Sequence, residues 1–327
     1  MQDVADAAGF SRTAVCFALR NDPRLPAVTR RRIQRVARRL GYRPNPLVSA
    51  LMANLAAIKE RPLTATIAYI TDLASDDAFR KHAYHLAYFG GATRRAAAAG
   101  YRVEPFLFHP PEITPRRLGE ILRARNIPGL LLAPCRHIFD AADLNWDWFA
   151  CVNISASRMG VAFHSVTADH YRSLLFALQR LRQLGYRRIG FVIRQPTDES
   201  LDYVWTAAFF SFQARLPLPQ RVPAFNPLEL TQEIFVPWFK RHRPDVVVAY
   251  GIGIRNWITG MGLKVPRDVG FFDIDLPPGN REVSGLNQNQ ALIGAAAADL
   301  VIEQLHHNER GFPTHPKLVL LKSEWVQ

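Results

Sequence analysis

The protein has 327 residues, of which 48% are hydrophobic and 21% are charged, and its formal net charge is +13. These values fit a globular protein of two or three domains with ample material for hydrophobic cores. No run of 18 apolar residues is present, and the N-terminus has no signal-peptide stretch, which argues against a membrane protein and against a periplasmic receptor. We therefore expect a cytoplasmic protein.

The positive charge is concentrated at the N-terminus. Residues 1–45 carry ten arginines against three aspartates, a net charge of +7, which leaves +6 for the other 282 residues. A compact basic head is typical of proteins that bind nucleic-acid phosphates. We expect the head to bind DNA and the remainder of the chain to have a sensing role.

Two short helices and a tight turn open the chain. Apolar residues at helical spacing predict a first helix over Gln2–Ala8. Gly9 suits a turn with positive φ, and Ser11 is a natural N-cap for a second helix that ends at Leu19. This pattern matches a helix–turn–helix, whose second helix reads base edges from its N-terminal half.

A third helix and an amphipathic segment follow. Thr29 is predicted to cap the third helix, and Gly41 to end it. Asn45 can cap a further short helix that begins at Pro46, where a missing N–H costs nothing. The apolar stripe of the third helix would consist of Ile33, Val36, Ala37 and Leu40. Without further information, the three helices could equally be ordinary amphipathic helices with a solvated basic face.

From Leu63 onward, strand-like and helical stretches alternate. Strands are predicted at Thr66–Thr71, Arg102–Phe108, Leu130–Ala133, Phe149–Asn153, Arg188–Ile193 and Val246–Tyr250. Helices are predicted at Phe79–Ala99, Arg116–Arg125, Tyr171–Leu184, Leu201–Arg215 and Glu229–Arg241. The alternation indicates βαβ units and parallel sheets, and two sheets of six strands or fewer fit this length better than one.

The segments DVADAAGFSRTAV and RRRIQRVARRLGYRPNPLVSAL, with the spacing between them, resemble the head and hinge of the lactose-repressor (LacI/GalR) family. The remainder of the chain resembles that family more loosely, for example in LQRLRQLGYRRIGFVI and GLNQNQALIGAAAADLVIEQL. The resemblance implies an all-α helix–turn–helix head followed by a two-lobed α/β ligand domain with parallel sheets, like that of periplasmic binding proteins.

The resemblance also implies domain boundaries. The head would span residues 1–43, the hinge helix and linker 44–62, and the ligand-binding and dimerisation domain 63–327. Within that domain the N-lobe would comprise about 63–166 and 289–317, and the C-lobe about 169–286 and 320–327. The chain would cross between lobes near Val166–Asp169, Leu286–Asn289 and Leu318–Leu320.

Carried over by position, the resemblance implies two groups of DNA contacts. The residues that would contact DNA are Ser11, Arg12, Thr13 and Phe17 in the second helix, and Asn45, Val48 and Leu51 in the hinge. Arg12 suits bidentate pairing with guanine, and Leu51 suits an apolar wedge in the minor groove. Phe17 replaces an arginine of the family pattern and favours a thymine methyl group or internal packing.

Effector contacts are expected in the cleft between the lobes, at the carboxyl ends of the strands. The candidates are Asp72, His137, Tyr203, Trp205, Trp257, Asp275, Asn287 and Gln288. For each of them, a polar loop residue or a core aromatic is the alternative. Gly251 and Ile252 stand where the family has an Asn-Asp pair, and the family's arginine near Leu201–Phe210 is missing. Three alternatives therefore stay open: the cleft binds a hexose, it binds a different ligand that suits aromatic side chains, or it binds no ligand.

The expected protein is a dimeric transcriptional regulator, a repressor in the first instance, with a palindromic double-stranded DNA operator and a small sugar-like effector. No cofactor, metal site or membrane association is expected, and the three cysteines show no metal or redox spacing. Motifs of the common hydrolases, P-loop proteins and zinc proteases are missing, so we expect no enzyme activity. The alternatives are a cytoplasmic sugar-binding protein without DNA function, or an enzyme.

Overall fold

The computed structural model describes residues 2–19, 25–41, 65–108, 113–134, 143–155 and 162–327. Its head contains α1 (Gln2–Ala8), α2 (Arg12–Leu19) and α3 (Ala27–Arg39). The first two helices lie where the sequence predicts them. Gly9 has a φ of 72°, and the hydroxyl of Ser11 accepts the backbone N–H of Ala14 at 3.2 Å, as an N-cap does.

The start of the third helix differs from its prediction. It begins at Ala27 rather than beyond Thr29, because Pro26, with a φ of −54°, already presets the entry into the helix. No side chain caps it. Ile33 and Ala37 are buried as predicted, but Leu40 is 47% exposed, since the helix has ended there.

The remainder of the chain forms two α/β lobes. The strands are β1 (Ala65–Thr71), β2 (Tyr101–Leu107), β3 (Gly129–Leu132), β4 (Ala150–Ile154), β5 (His164–Ala168), β6 (Ile189–Val192), β7 (Val246–Ala249), β8 (Gly270–Asp273), β9 (Gly285–Asn287), β10 (Leu318–Leu321) and β11 (Glu324–Val326). The helices are α4 (Asp76–Lys81), α5 (Ala83–Ala98), α6 (Pro115–Ala124), α7 (His170–Gln183), α8 (Gln195–Glu199), α9 (Val204–Gln213), α10 (Gln232–His242), α11 (Gly253–Gly260) and α12 (Gln290–His307).

The strands form two sheets, which confirms the predicted architecture. The N-lobe sheet has the order β10-β5-β4-β3-β1-β2 and is wholly parallel. The C-lobe sheet has the order β11-β9-β8-β7-β6 and is parallel except for β11. Parallel sheets are covered by helices on both faces, and the inner strands here are almost continuously buried, whereas the edge strands β2, β10 and β11 are partly exposed.

The chain passes between the lobes three times. It leaves the N-lobe after β5 and returns after β9, within the two stretches where the first crossings are expected. The third crossing follows Leu321, because all of β10 pairs with β5 in the N-lobe sheet. The two lobes are therefore joined by three covalent connections.

Two predicted helices are shorter than expected, for local reasons. The predicted helix over Phe79–Ala99 is divided at His82, which has extended backbone and caps α5. The helix predicted from Leu201 begins at Val204, because Asp202 and Tyr203 are left-handed, with φ of 54° and 57°. Of the described helices, none is long and apolar enough to cross a membrane.

Candidate functional site

A cavity of about 880 Å³ lies between the lobes, at the carboxyl ends of their parallel strands. Asp72 follows β1 of the N-lobe, and Tyr250 and Asp275 follow β7 and β8 of the C-lobe. Thr167 and Gln288 contribute from two of the chain crossings. The size and position of the cavity suit a small organic ligand held between the lobes.

Four of the eight predicted effector residues line this cavity, namely Asp72, Trp205, Asp275 and Gln288. They come from both lobes and from a crossing, so the fold brings together residues up to 216 positions apart. His137 lies outside the described residues.

The other three predicted effector residues lie elsewhere. Tyr203 is 38% exposed and does not line the cavity, because its left-handed backbone precedes α9. Trp257 packs in the C-lobe core, with its ring centroid 5.6 Å from that of Phe235. Asn287 accepts the backbone N–H of Asn289 at 3.0 Å and so serves the geometry of the crossing.

Asp275 is connected to both lobes. Its backbone carbonyl accepts a 2.9 Å hydrogen bond from the Tyr84 hydroxyl on α5. Its carboxyl Oδ1 accepts from Nε2 of Gln290 at 3.2 Å, and its side chain also hydrogen-bonds Tyr250. Burial, and secondly the charge of Asp273, raise the pKa of Asp275 to about 8. Without a ligand, this carboxyl therefore holds its proton at neutral pH.

Asp273 is fully buried at the end of β8. Its Oδ1 accepts backbone N–H groups of Asp275 at 2.9 Å and of Gly251 at 3.4 Å, whereas its Oδ2 has no partner among the described residues. Burial raises the pKa of Asp273 to about 6 in spite of these bonds. Asp275 at the cavity wall and the buried Asp273 behind it are therefore two neighbouring carboxyls for which the described residues form no ion pair.

Three tyrosines stand around Asp275. Tyr84, Tyr88 and Tyr250 all line the cavity. Burial, and next the negative charge of Asp275, raise the pKa of all three hydroxyls. The phenols stay protonated at neutral pH and are available as hydrogen-bond donors.

The N-lobe wall carries a neutral histidine. His85 Nδ1 lies 3.2 Å from the Tyr69 hydroxyl and 3.4 Å from the Thr71 hydroxyl. Burial, followed by the nearby His82, lowers the pKa of His85 to about 4. His85 therefore supplies a polar surface without a positive charge.

A third polar group lies beside the first crossing. His170 begins α7, its Nε2 lies 3.4 Å from the Thr167 hydroxyl, and its ring centroid lies 4.6 Å from that of Trp205. Burial lowers the pKa of His170 to about 4. The indole N–H of the fully buried Trp205 and Nδ1 of His170 find no partner among the described residues. Since buried polar groups are normally paired, these two mark a place for a ligand or water.

The head has its own small core. Val15 and Ala18 of α2 are buried against Ile33 of α3, so that one face of α2 packs inward. Gln34 Nε2 reinforces this contact with a 2.7 Å bond to the carbonyl of Ala18. Five arginines of α3 are exposed and form a basic surface: Arg31, Arg32, Arg35, Arg38 and Arg39.

The predicted DNA contacts are only partly described. Ser11 is exposed, and Phe17 is half-buried. The side chains of Arg12 and Thr13, and the hinge residues Asn45, Val48 and Leu51, lie outside the described part of the structure.

Residues 1–45 match the family model of bacterial regulatory proteins of the lacI family, and residues 178–326 match that of a periplasmic-binding-protein-like domain. The chain belongs to the LacI family.

Other LacI-family proteins resemble the chain over most of its length. The HTH-type transcriptional repressor CytR of Escherichia coli is 24% identical over 331 residues, which cover 95% of this chain and 91% of CytR. The CelR–cellobiose complex has a TM-score of 0.59 at 19% identity and covers 99% and 97% of the two chains. The lac repressor dimer bound to operator has a TM-score of 0.58 at 17% identity and covers 99% and 96%. These structural similarities establish the shared fold.

Several residues that line the cavity were not among the predicted effector contacts. Ser155 and Tyr250 directly follow β4 and β7, and Arg194 lies two residues after β6. The rule that ligands bind at the carboxyl ends of strands, applied to every strand, would have found all three. Tyr84 and Tyr88 lie one helical turn apart on α5 and carry no such signal. An arginine therefore does line the cleft, but it comes from a strand end rather than from the expected helix.

Proposed function

We propose that the protein is a cytoplasmic transcriptional repressor that binds operator DNA and is controlled by a small sugar-like effector, and that it is not an enzyme. The observation that carries this proposal is a LacI-family head on the same chain as two lobes with a polar cavity between them. The relative named as a repressor, CytR, supports the direction of control.

DNA is contacted by a homodimer on a palindromic operator, with one head on each half-site. In this proposal Ser11, Arg12, Thr13 and Phe17, at and after the start of α2, contact the major groove, and Asn45, Val48 and Leu51 contact the minor groove. The exposed arginines of α3 add a positive field that attracts the phosphates. The lac repressor dimer bound to operator provides the geometric precedent.

The effector occupies the cavity between the lobes. Asp72, Trp205, Asp275 and Gln288 contact it, together with Tyr84, Tyr88 and Arg194. Hydroxyl-bearing ligands suit this mixture of phenols, carboxyls and amides, and the CelR complex holds a disaccharide. Because the cavity walls belong to both lobes, a ligand that contacts both walls stabilises one relative position of the lobes.

Control follows as a population shift between two lobe positions. A ligand that prefers one position changes the spacing of the two heads and thereby the affinity for DNA. A coupling of about 1–3 kcal/mol changes occupancy of the operator roughly 5- to 150-fold.

The test is selection of bound sequences from a random duplex pool, followed by mobility shifts at two salt concentrations. We expect a palindromic site whose affinity falls steeply as salt rises. Arg12→Ala should weaken the binding free energy for the operator by about 1–3 kcal/mol. It should also relax the sequence preference at the base pair that Arg12 contacts. The control is Arg116→Ala, an exposed arginine on α6, which should leave operator binding unchanged.

The hinge is tested separately with Leu51→Ala. Loss of an apolar wedge should weaken operator binding much more than binding to random duplex. If the wild-type protein selected no sequence and its affinities were equal for all duplexes, the alternative of a sugar-binding protein without DNA function would replace this proposal.

A further inference from the structure

We propose that the effector is a polyhydroxylated primary amine of the amino-sugar class, whose ammonium group lies between the carboxyl of Asp275 and the tyrosines Tyr84, Tyr88 and Tyr250. This inference rests on the proposed function, because it takes the cavity between the lobes as the effector site. It adds the chemical class of the ligand.

The first argument is a negative site that lacks a cation. Among the described residues, neither Asp273 nor Asp275 forms an ion pair with a lysine or arginine, and the Oδ2 atom of the fully buried Asp273 has no partner at all. Arg194 also lines the cavity, but it is exposed and, among the described residues, forms no ion pair with either carboxyl. A ligand ammonium would supply the missing charge.

The second argument is the aromatic surroundings. Tyr84, Tyr88 and Tyr250 come from two lobes and line the cavity around Asp275. Aromatic rings attract cations, most strongly where water is excluded, and clusters of rings recognise ammonium groups. Phenol oxygens also accept hydrogen bonds from an ammonium group.

The third argument places hydroxyl groups on the remainder of the ligand. The fully buried Trp205 lines the cavity with an unpaired indole N–H, and Nδ1 of His170 beside it is also unpaired. Thr167 and Gln288 lie at the neighbouring crossings. A cavity of about 880 Å³ with these partners accepts a mono- or disaccharide skeleton better than a plain polyamine.

Ligands of other charge fit this site less well. A sugar acid would place its carboxylate near Asp72, Glu199 and Asp275, all of which line the cavity. A neutral sugar would leave Asp275 protonated at neutral pH and would bring no counter-charge to the ionised Asp273 behind it. An ammonium group instead favours the ionised form of Asp275, so binding at neutral pH would release the proton that burial holds on this carboxyl.

The experiment is isothermal titration calorimetry of the full-length protein with glucosamine, galactosamine and the glucosamine disaccharide, each beside its N-acetyl derivative and its parent sugar. We expect at least one amine to bind tenfold or more tightly than both of its neutral analogues. Titration at pH 6.5 in two buffers of different ionisation enthalpy should reveal release of about one proton for the amine and none for the analogues. Between pH 6 and pH 7 the affinity for the amine should rise about tenfold.

The variant is Asp275→Asn, which keeps a side chain able to bond Tyr250 and Gln290 but removes the charge. It should abolish both the preference for the amine and the proton release. The matched control is Asp299→Asn, an exposed carboxyl on α12 outside the cavity, which should retain both. Circular dichroism and operator binding check that each variant is folded.

Three results would overturn the inference: equal affinity for an amine and its neutral analogues, an unchanged preference in Asp275→Asn, or binding of no amine in the panel. Equal binding of neutral sugars would refute the amine while leaving the cavity as the effector site. Loss of operator selection would refute the proposed function itself, and mobility shifts measure that independently.

Discussion

The Tyr84 hydroxyl donates a 2.9 Å hydrogen bond to the backbone carbonyl of Asp275, which joins α5 of the N-lobe to the loop after β8 of the C-lobe. Both residues line the cavity between the lobes. The two walls of the cleft are therefore bridged by a direct bond, and a ligand must bind beside this bridge or replace it.

Tyr84→Phe should loosen this contact between the lobes, because it removes the hydrogen-bond donor and keeps the ring. We expect the free energy of unfolding to fall by about 0.5–1.5 kcal/mol and the radius of gyration without ligand to increase. Urea denaturation and small-angle X-ray scattering measure the two effects. Tyr171→Phe, at a hydroxyl for which the described residues provide no bond, should change neither. An unchanged scattering curve for Tyr84→Phe would show that the bridge does not hold the lobes.

The lobes could be predicted from the sequence because their signals are local. Alternating apolar strands and amphipathic helices fix parallel sheets, and the end of a strand fixes where Asp72 and Asp275 lie. Ser11 was recognisable as a cap because capping depends on a residue and the three that follow it.

Features that depend on distant contacts could not be predicted. Tyr84 approaches Asp275 only through the packing of two lobes, over 191 positions of sequence. Trp257 has the aromatic character of a sugar-stacking residue, yet the C-lobe core uses it for packing on Phe235. Residue type thus indicates what a side chain can bind, while tertiary packing decides whether it reaches the cleft.

Gly91 and Gly294 permit α5 and α12 to touch backbone to backbone. A Cβ on Gly91 would collide with the carbonyl of Ala291, and one on Gly294 with the carbonyl of Tyr88. Neither neighbour is a flexible side chain, so we expect Gly91→Ala and Gly294→Ala each to lower the free energy of unfolding by about 1–3 kcal/mol or more. The measurement is chemical denaturation.

Gly253→Ala is the matched control for these two glycines. Gly253 begins α11 with open space around the position of a Cβ. Alanine should therefore leave stability unchanged or raise it by up to about 1 kcal/mol. Losses of equal size at all three positions would contradict the close packing of α5 on α12.

Ser11→Ala should destabilise α2, the helix of the head that is proposed to contact the bases. The Ser11 hydroxyl accepts the backbone N–H of Ala14 at 3.2 Å, and the loss of such a cap costs about 0.5–2 kcal/mol. Hydrogen exchange should speed up in α2, and operator affinity should fall. Ser75→Ala removes the equivalent 3.1 Å cap from α4 in the N-lobe, so it should leave DNA binding intact. Equal operator affinity of the wild type and Ser11→Ala would mean that this cap does not contribute to DNA binding by the head.

Stability should also depend on pH, with opposing contributions below pH 6.5. Burial raises the pKa of Asp273 to about 6 and that of Asp275 to about 8, so their contribution is complete below about pH 4 and is lost as pH rises through these values. Burial lowers the pKa of His85 and of His170 to about 4, so they contribute above about pH 6.5 and lose that contribution as pH falls.

Above about pH 7.5 the histidine contributions are complete, because the imidazoles are neutral in both folded and unfolded chains, and the contribution of Asp275 is still falling. We expect the free energy of unfolding to fall by about 0.5–1 kcal/mol between pH 7.5 and pH 8.5, measured by urea denaturation at quarter-unit steps. Asp275→Asn should flatten this fall, since the amide has no proton to lose, whereas Asp299→Asn, at an exposed position, should reproduce the wild-type curve. A wild-type curve that is level over this interval would mean that Asp275 is already ionised in the folded protein, and the aspartate pair would then need a cation that the described residues do not provide.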